Sequence, residues 1–318
     1  MKILVTGSRG YIGSVLMKTL TMQGYTVYGV DIVNNKDGSA KYGTNYTYNI
    51  NSPSVIDLVR EENIDTIFHL AASADVGMSV THPWLFYLNN IGNTSVFVSG
   101  LIQSGWKGKL IFSSTAAVYE EDNYPVHENS TISPPNPYGR SKLACEYFFQ
   151  DIQKANDIDI VVFRYFNVAG GWDDCGDHDN STRIIARLCR SAYNNEPFTL
   201  NGTDKNTSDG TCVRDYLHVR DVCDAHLHAA SFLDTHPGYH TFNLGISKGW
   251  SNKEIIDSFL LFTGHEPSVI TGPGRPGDPD YLVSNADKFM NQTGFRYKHS
   301  SLENIIDSAW SYYLNRMR

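Results

Sequence analysis

Lys2-Ile3-Leu4-Val5-Thr6-Gly7-Ser8-Arg9-Gly10-Tyr11-Ile12-Gly13 is the stretch that decides the fold. A short apolar β run, 2–6, leads straight into glycines at 7, 10 and 13. Ile12, Val15, Leu16 and Leu20 then recur at the spacing of one helix face. The order strand, glycine turn, helix is the opening of a nucleotide-binding α/β unit. In such a turn the first glycine permits the tight bend, the second lets backbone approach a pyrophosphate, and the third lets helix pack on strand. The helix start offers unpaired N–H groups and the positive end of a dipole.

Working outward, a second β run, 26–30, ends in Asp31. A carboxylate there accepts from both ribose hydroxyls of an adenosine and repels a 2′-phosphate, so NAD is expected rather than NADP. Arg9 runs against this, because an arginine in the loop can meet a 2′-phosphate. Further strands are expected at 66–70, 109–113 and 158–164, with helices at 85–103 and 138–154 between them. This alternation predicts a Rossmann-type, doubly wound parallel sheet with helices on both faces. Past residue 169 the chain turns rich in Gly, Pro, Asp and Asn, with shorter elements at 184–193, 198–200, 241–244 and 302–314. We expect an NAD-binding domain over 1–168, rejoined by about 217–245. A smaller mixed α/β lobe spans 169–318, mainly about 169–216 and 246–300.

The chain has 318 residues, 41% hydrophobic and 19% charged, with a formal net charge of −8. This is ordinary globular composition without basic runs, so nucleic acid and anionic membranes are poor partners. Five cysteines without a C-x-x-C pair speak against a disulfide scaffold or zinc and for a reducing, cytoplasmic setting. The sequence suggests no signal peptide and contains no apolar run near 18 residues.

Tyr138-Gly139-Arg140-Ser141-Lys142 sets a phenol and an ammonium four residues apart, on one face of a helix. An ammonium favours phenolate, which a base at neutral pH requires. Pro134, Pro135 and Pro137 place the helix start near Tyr138, so the dipole helps too. The spacing alone fits a solvated helix face better. Ser113-Ser114-Thr115 changes that reading, since hydroxyls at a strand's carboxyl end sit where ligands bind.

TGSRGYIG, FSSTAAVY, PYGRSK, RYFNVAGG, DGTCVRDYLHVRD, FNLG and GRPGDPD follow in order along nearly the whole chain. Together they resemble the extended short-chain dehydrogenase/reductase family, and within it the UDP-glucose 4-epimerases. The resemblance implies an NAD-dependent isomerase acting on a UDP-hexose: galactose or glucose, or the N-acetyl forms. Tyr138 becomes the acid/base, Lys142 its activator and nicotinamide-ribose ligand, and Thr115 a hydroxyl for the substrate. Gly7, Arg9, Gly10, Tyr11, Ile12, Gly13, Asp31, Asn49, Ile50, Leu70, Ala71, Ala72, Asn89, Ser113 and Tyr165 fall at cofactor positions. Asn167, Thr182, Arg183, Arg214, Arg275, Asp278 and Leu282 fall at positions for the UDP-sugar. Arg214 and Arg275 suit diphosphate oxygens, Asp278 suits the uridine ribose, and Leu282 gates the hexose 2-substituent.

Departures from the family pattern are also visible. Asn49 replaces an aspartate at the adenine, Ala74 replaces a lysine, and the segment at Thr182 and Arg183 lacks an Asn-Leu pair. A dehydratase of the same family carries an Asp-Glu pair after the threonine; here Ala116-Ala117 follow Thr115. A uronate 4-epimerase, a decarboxylase or a non-catalytic NAD sensor are the other readings, and both Tyr138 and Lys142 speak against the last. The helices at 85–103 and 138–154 resemble those that build a homodimer interface in relatives.

Overall fold

A computed structural model describes residues 1–34, 41–120, 124–177, 181–274 and 278–317. In chain order the first elements are β1 (Lys2–Thr6), α1 (Tyr11–Met22), β2 (Thr26–Asp31), β3 (Thr44–Thr47), α2 (Pro53–Glu61) and β4 (Thr66–His69). Next come α3 (Val76–Thr81), α4 (Pro83–Phe86), a π-helical segment (Tyr87–Asn93), α5 (Thr94–Gln103), β5 (Lys109–Thr115), α6 (Pro137–Ala155) and β6 (Asp159–Tyr165). They are followed by β7 (Asn167–Ala169), β8 (Gly171–Trp172), β9 (Cys175–Gly176), α7 (Ile184–Asn194), β10 (Phe198–Asn201) and β11 (Val213–His218). The last are α8 (Val219–Phe232), β12 (Tyr239–Leu244), β13 (Gly249–Ser251), α9 (Asn252–Thr263), β14 (Val269–Gly272), β15 (Tyr281–Leu282), α10 (Asp287–Thr293) and α11 (Leu302–Met317).

Seven strands form one sheet in the order β12-β6-β5-β4-β1-β2-β3. The pairings from β3 across to β5 are parallel, as the strand–helix alternation predicts. Ile3, Leu4 and Val5 are fully buried, which fits a central strand covered on both faces. The order reverses around β1, where the chain runs outward through β2 and β3 and then crosses back to β4. In open α/β sheets ligands bind at the carboxyl ends beside such a switch.

The chain divides into two compact units. Unit 1 holds Met1–Val118, Pro134–Arg164 and Cys223–Phe242; unit 2 holds Tyr119–Ser133, Tyr165–Val222 and Asn243–Arg318. The core of unit 1 gathers Leu4, Val30, Ile67, Phe97, Leu110, Phe112 and Phe149 around the sheet. The core of unit 2 gathers Leu188, Phe259, Ile305, Ile306 and Trp310 from α7, α9 and α11. Its small sheet runs β13-β11-β15, with β7 also on β11. No described helix is long and apolar enough to cross a membrane.

One expectation needs correction. The single helix predicted over 85–103 is instead α4, the π-helical segment and α5. A π turn takes in extra residues per turn. It carries Asn90 into the interior, where the amide finds partners that offset the poorer backbone geometry.

Candidate active site

In unit 1 the glycine turn is packed to its limit. Gly7 has φ +71°, and a Cβ at Gly13 would stand 2.0 Å from the Gly7 carbonyl oxygen. Helix α1 starts from Gly10 without a side-chain cap. Its first N–H groups are therefore left for an anion. Asp31, at the end of β2, accepts the backbone N–H of Arg9 and of Val33, each at 3.0 Å, one on either oxygen. Each oxygen retains a lone pair for a ribose hydroxyl. Arg9 donates to the Val33 carbonyl and, at 2.9 Å, to Thr47 Oγ1, while its Nε is buried without a hydrogen-bond partner. An orphaned donor beside a carboxylate and an open helix start fits a dinucleotide bound there. Ile50 places its side chain in the core, so only its backbone can meet a cofactor. Asn49 is exposed, and its Oδ1 accepts from Asn51 N at 3.3 Å.

The pair expected from spacing lies on α6. Asn136 caps this helix by accepting from Gly139 N at 2.9 Å, and Pro137 takes its first position. A Cβ at Gly139 would stand 2.2 Å from the Ala117 carbonyl oxygen. Glycine thus lets the first turn of α6 press on the backbone that follows Thr115. Tyr138 is half-buried and edge-on to Phe86, with ring centroids 6.3 Å apart. Lys142 is buried; its Nζ donates to the Ser113 carbonyl at 2.7 Å and lies 4.6 Å from the centroid of the Phe112 ring. Burial lowers its pKa to about 8, opposed by the nearby Cys145 and Glu146. Thr115 Oγ1 accepts from Ala117 N at 3.1 Å and keeps its own proton to donate.

Some partners were not readable as site residues in the sequence. Asn90 donates to the Ser73 carbonyl at 3.0 Å and to Ser141 Oγ at 2.9 Å, and Ser141 donates to the Tyr138 carbonyl at 2.8 Å. Asn89, expected at a cofactor position, donates to Ser73 Oγ at 3.0 Å. Tandem asparagines in a predicted helix were the available signal, because they are poor helix formers. His69 sits in the core between Thr6 (2.7 Å) and Thr94 (2.9 Å), and burial lowers its pKa to about 3. Leu70, Ala71 and Ala72 continue past β4, with Ala71 N donating to Thr6 Oγ1 at 3.2 Å.

The residues expected at the UDP-sugar lie in unit 2. Arg214 is buried and donates to the Val213 carbonyl (2.7 Å), the Pro279 carbonyl (2.6 Å) and the Asp278 carboxylate. Lys205 bonds the Asp278 carbonyl and lies 3.4 Å from Asp280. Leu282 is half-buried and pairs opposite Arg214 in the sheet. Asn167 pairs opposite Tyr216 at the start of β7. Thr182 is exposed, and Arg183 beside it pairs with Asp177 at 2.8 Å. Tyr165 closes β6. Arg275 lies outside the described residues.

The pattern of the NAD dependent epimerase/dehydratase family matches residues 3–245. The chain belongs to this family. A UDP-glucose 4-epimerase from Halalkalibacterium halodurans is 36% identical over 321 residues, covering 98% of this chain and 96% of that one. The structure of a UDP-glucose 4-epimerase from Stenotrophomonas maltophila with bound NAD and formylated UDP-arabinopyranose superposes with a TM-score of 0.94. It is 31% identical and covers 100% of this chain and 99% of its own. The enzyme from Bifidobacterium longum, in complex with NAD⁺ and UDP, gives a TM-score of 0.90 at 29% identity, covering 100% and 99%. For this member of the epimerase/dehydratase family the cofactor is NAD, and the glycine turn, the start of α1 and Asp31 are the features that suit it.

Proposed function

We propose that the protein is an NAD-dependent UDP-hexose 4-epimerase. The observation that carries this reading is α6, which sets Tyr138 one turn ahead of a buried Lys142 in a chain alike end to end to UDP-glucose 4-epimerases. NAD, held by the glycine turn, the start of α1 and Asp31, would supply the hydride acceptor and donor for the sugar C4. Tyr138 takes the proton of the 4-hydroxyl and gives it back. Lys142 is still largely protonated at pH 7 and, with little water to screen it, favours phenolate at Tyr138. Thr115 donates a hydrogen bond to the oxygen that gains charge, and the first turn of α6 holds base and hydroxyl together.

On this reading unit 1 is the NAD-binding domain and unit 2 holds the UDP. Arg214 then exchanges Asp278 for diphosphate oxygens, and Asp278 turns to the uridine ribose. Trp84, Tyr87, Leu88, Val96 and Tyr147 are exposed on α4, the π-helical segment, α5 and α6. An apolar face of this kind suits a second copy of the chain, giving a homodimer. Five buried cysteines suit the cytoplasm, and the reaction suits galactose metabolism. The purified protein given UDP-galactose alone is expected to form UDP-glucose without added cofactor, followed by NMR. A 4-keto-6-deoxy product, or none, overturns the reading.

A further inference from the structure

Glu146 lies on α6 one turn beyond Lys142, in the same stripe as Tyr138, and is buried. Its carboxylate accepts the hydroxyl of Ser114 and a forked guanidinium from Arg164 on β6. Arg164 Nε stands 3.1 Å from each oxygen and a terminal nitrogen 2.6 Å from one. The Arg164 side chain is only 6% exposed. A buried ion pair seldom adds net stability, because both ions are desolvated; an apolar pair of similar volume does as well or better. A structural reason for this pair is therefore weak. Its position gives another one. Ser114, which Glu146 holds, follows Ser113, whose carbonyl holds Lys142. The nearest hydrogen-bond partner of that ammonium is a neutral oxygen in a dry site.

We propose that Glu146, clamped by Ser114 and Arg164, is a positioning residue of the active site: it supplies the fixed negative charge that keeps the Lys142 ammonium protonated beside Tyr138. The inference rests on the epimerase reading for its consequence but not for its physics. The titratable groups around Lys142 are His69 on β4, Tyr138, Cys145 and Glu146 on α6, with Arg164 on β6 and Tyr239 on β12 around Glu146. His69 and the Cys145 thiol stay neutral near pH 7: burial lowers the one to about 3 and raises the other to about 11. Tyr239 is neutral as well, raised by burial to about 12. Glu146 acts on Lys142 in the direction of keeping its proton.

The test uses the whole enzyme. In Glu146→Gln the alkaline limb of the kcat profile is expected to move down by about one pH unit, with KM within threefold; in the charge-free, volume-matched Glu146→Gln/Arg164→Met it is expected to move down by less, because the opposing Arg164 charge leaves as well. In parallel, the ¹³Cε resonance of Lys142, assigned by its loss in Lys142→Met, is expected to titrate at lower pH by the same amount. The NMR measurement needs no substrate, so it decides the inference even if the wild-type protein fails to epimerise. If both variants keep the wild-type limb and the wild-type Lys142 titration, the pair is only structural and the proposal falls. Uniform loss of kcat at every pH with an unmoved titration has the same meaning.

Discussion

Lys142 in unit 1 and Arg214 in unit 2 are both buried cations near a sheet, yet their surroundings are opposite. The ammonium rests on a neutral carbonyl and an aromatic face, and burial pulls its pKa down to about 8. The guanidinium is met by the Asp278 carboxylate and by two carbonyls at 2.6–2.7 Å. An ammonium bound to a neutral oxygen keeps a field that can act on a neighbouring phenol. A guanidinium already paired with carboxylate is an anchor that must trade partners to bind an anion. Lysine suits the first role because its proton can be tuned, and arginine the second because its charge cannot be lost.

The comparison is broken most sharply at the phenol. Tyr138→Phe is expected to keep the melting temperature within a few degrees and to cut kcat by at least about 10²-fold. Near-wild-type turnover in that variant, measured by UDP-galactose conversion, removes the chemistry from unit 1. Next in size, Gly13→Ala forces a methyl against the Gly7 carbonyl. A loss of about 1–3 kcal/mol in denaturant unfolding is expected, with weaker retention of NAD seen by absorbance of the purified protein. Unchanged stability would mean that the turn is looser than its geometry.

Arg214→Lys loses the fork while keeping the charge. We expect KM for UDP-galactose to rise about tenfold, NAD content to stay the same and kcat to fall less than KM rises. A pure kcat effect would move Arg214 out of the anchoring role.

The smallest effect is graded with pH, and each unit holds one reporter. Burial lowers the pKa of His69 to about 3 and of His218 to about 4. Both are neutral above pH 6.5 in folded and unfolded chains alike, so their full stability is present there. As pH falls below 6.5 the unfolded chain gains the proton first. Each histidine then lowers stability by about 1.4 kcal/mol per pH unit, His218 down to about pH 4 and His69 to about pH 3. Unfolding curves between pH 6.5 and 4.5 check this; His218→Gln should flatten the slope, and an unchanged slope refutes the assignment.

Much of unit 1 could be read in advance because its instructions are local. The Gly7–Gly13 turn, the acid ending β2 and the Pro137 start of α6 each depend on residues a few positions apart. The π-helical segment was not legible, since hydrophobic period does not reveal one extra residue per turn. Strand β11 is not legible because Val213–His218 sets Arg214 beside Asp215 and Tyr216 beside Leu217, breaking the alternation of a half-buried strand, and only β7, β13 and β15 make it one. Glu146 reads as an ordinary helix surface residue until Arg164, from another strand, arrives beside it.

By itself the sequence determined the strand–turn–helix opening, the parallel α/β order and the one-face placement of Tyr138 and Lys142, because backbone sterics and helical period act over a few residues. Only the tertiary structure decided which charges are dry and what they face: Lys142 on the Ser113 carbonyl, Glu146 under Arg164, Arg214 locked to Asp278. Electrostatic strength depends on burial and on partners brought from distant segments, and neither quantity exists until the chain has folded.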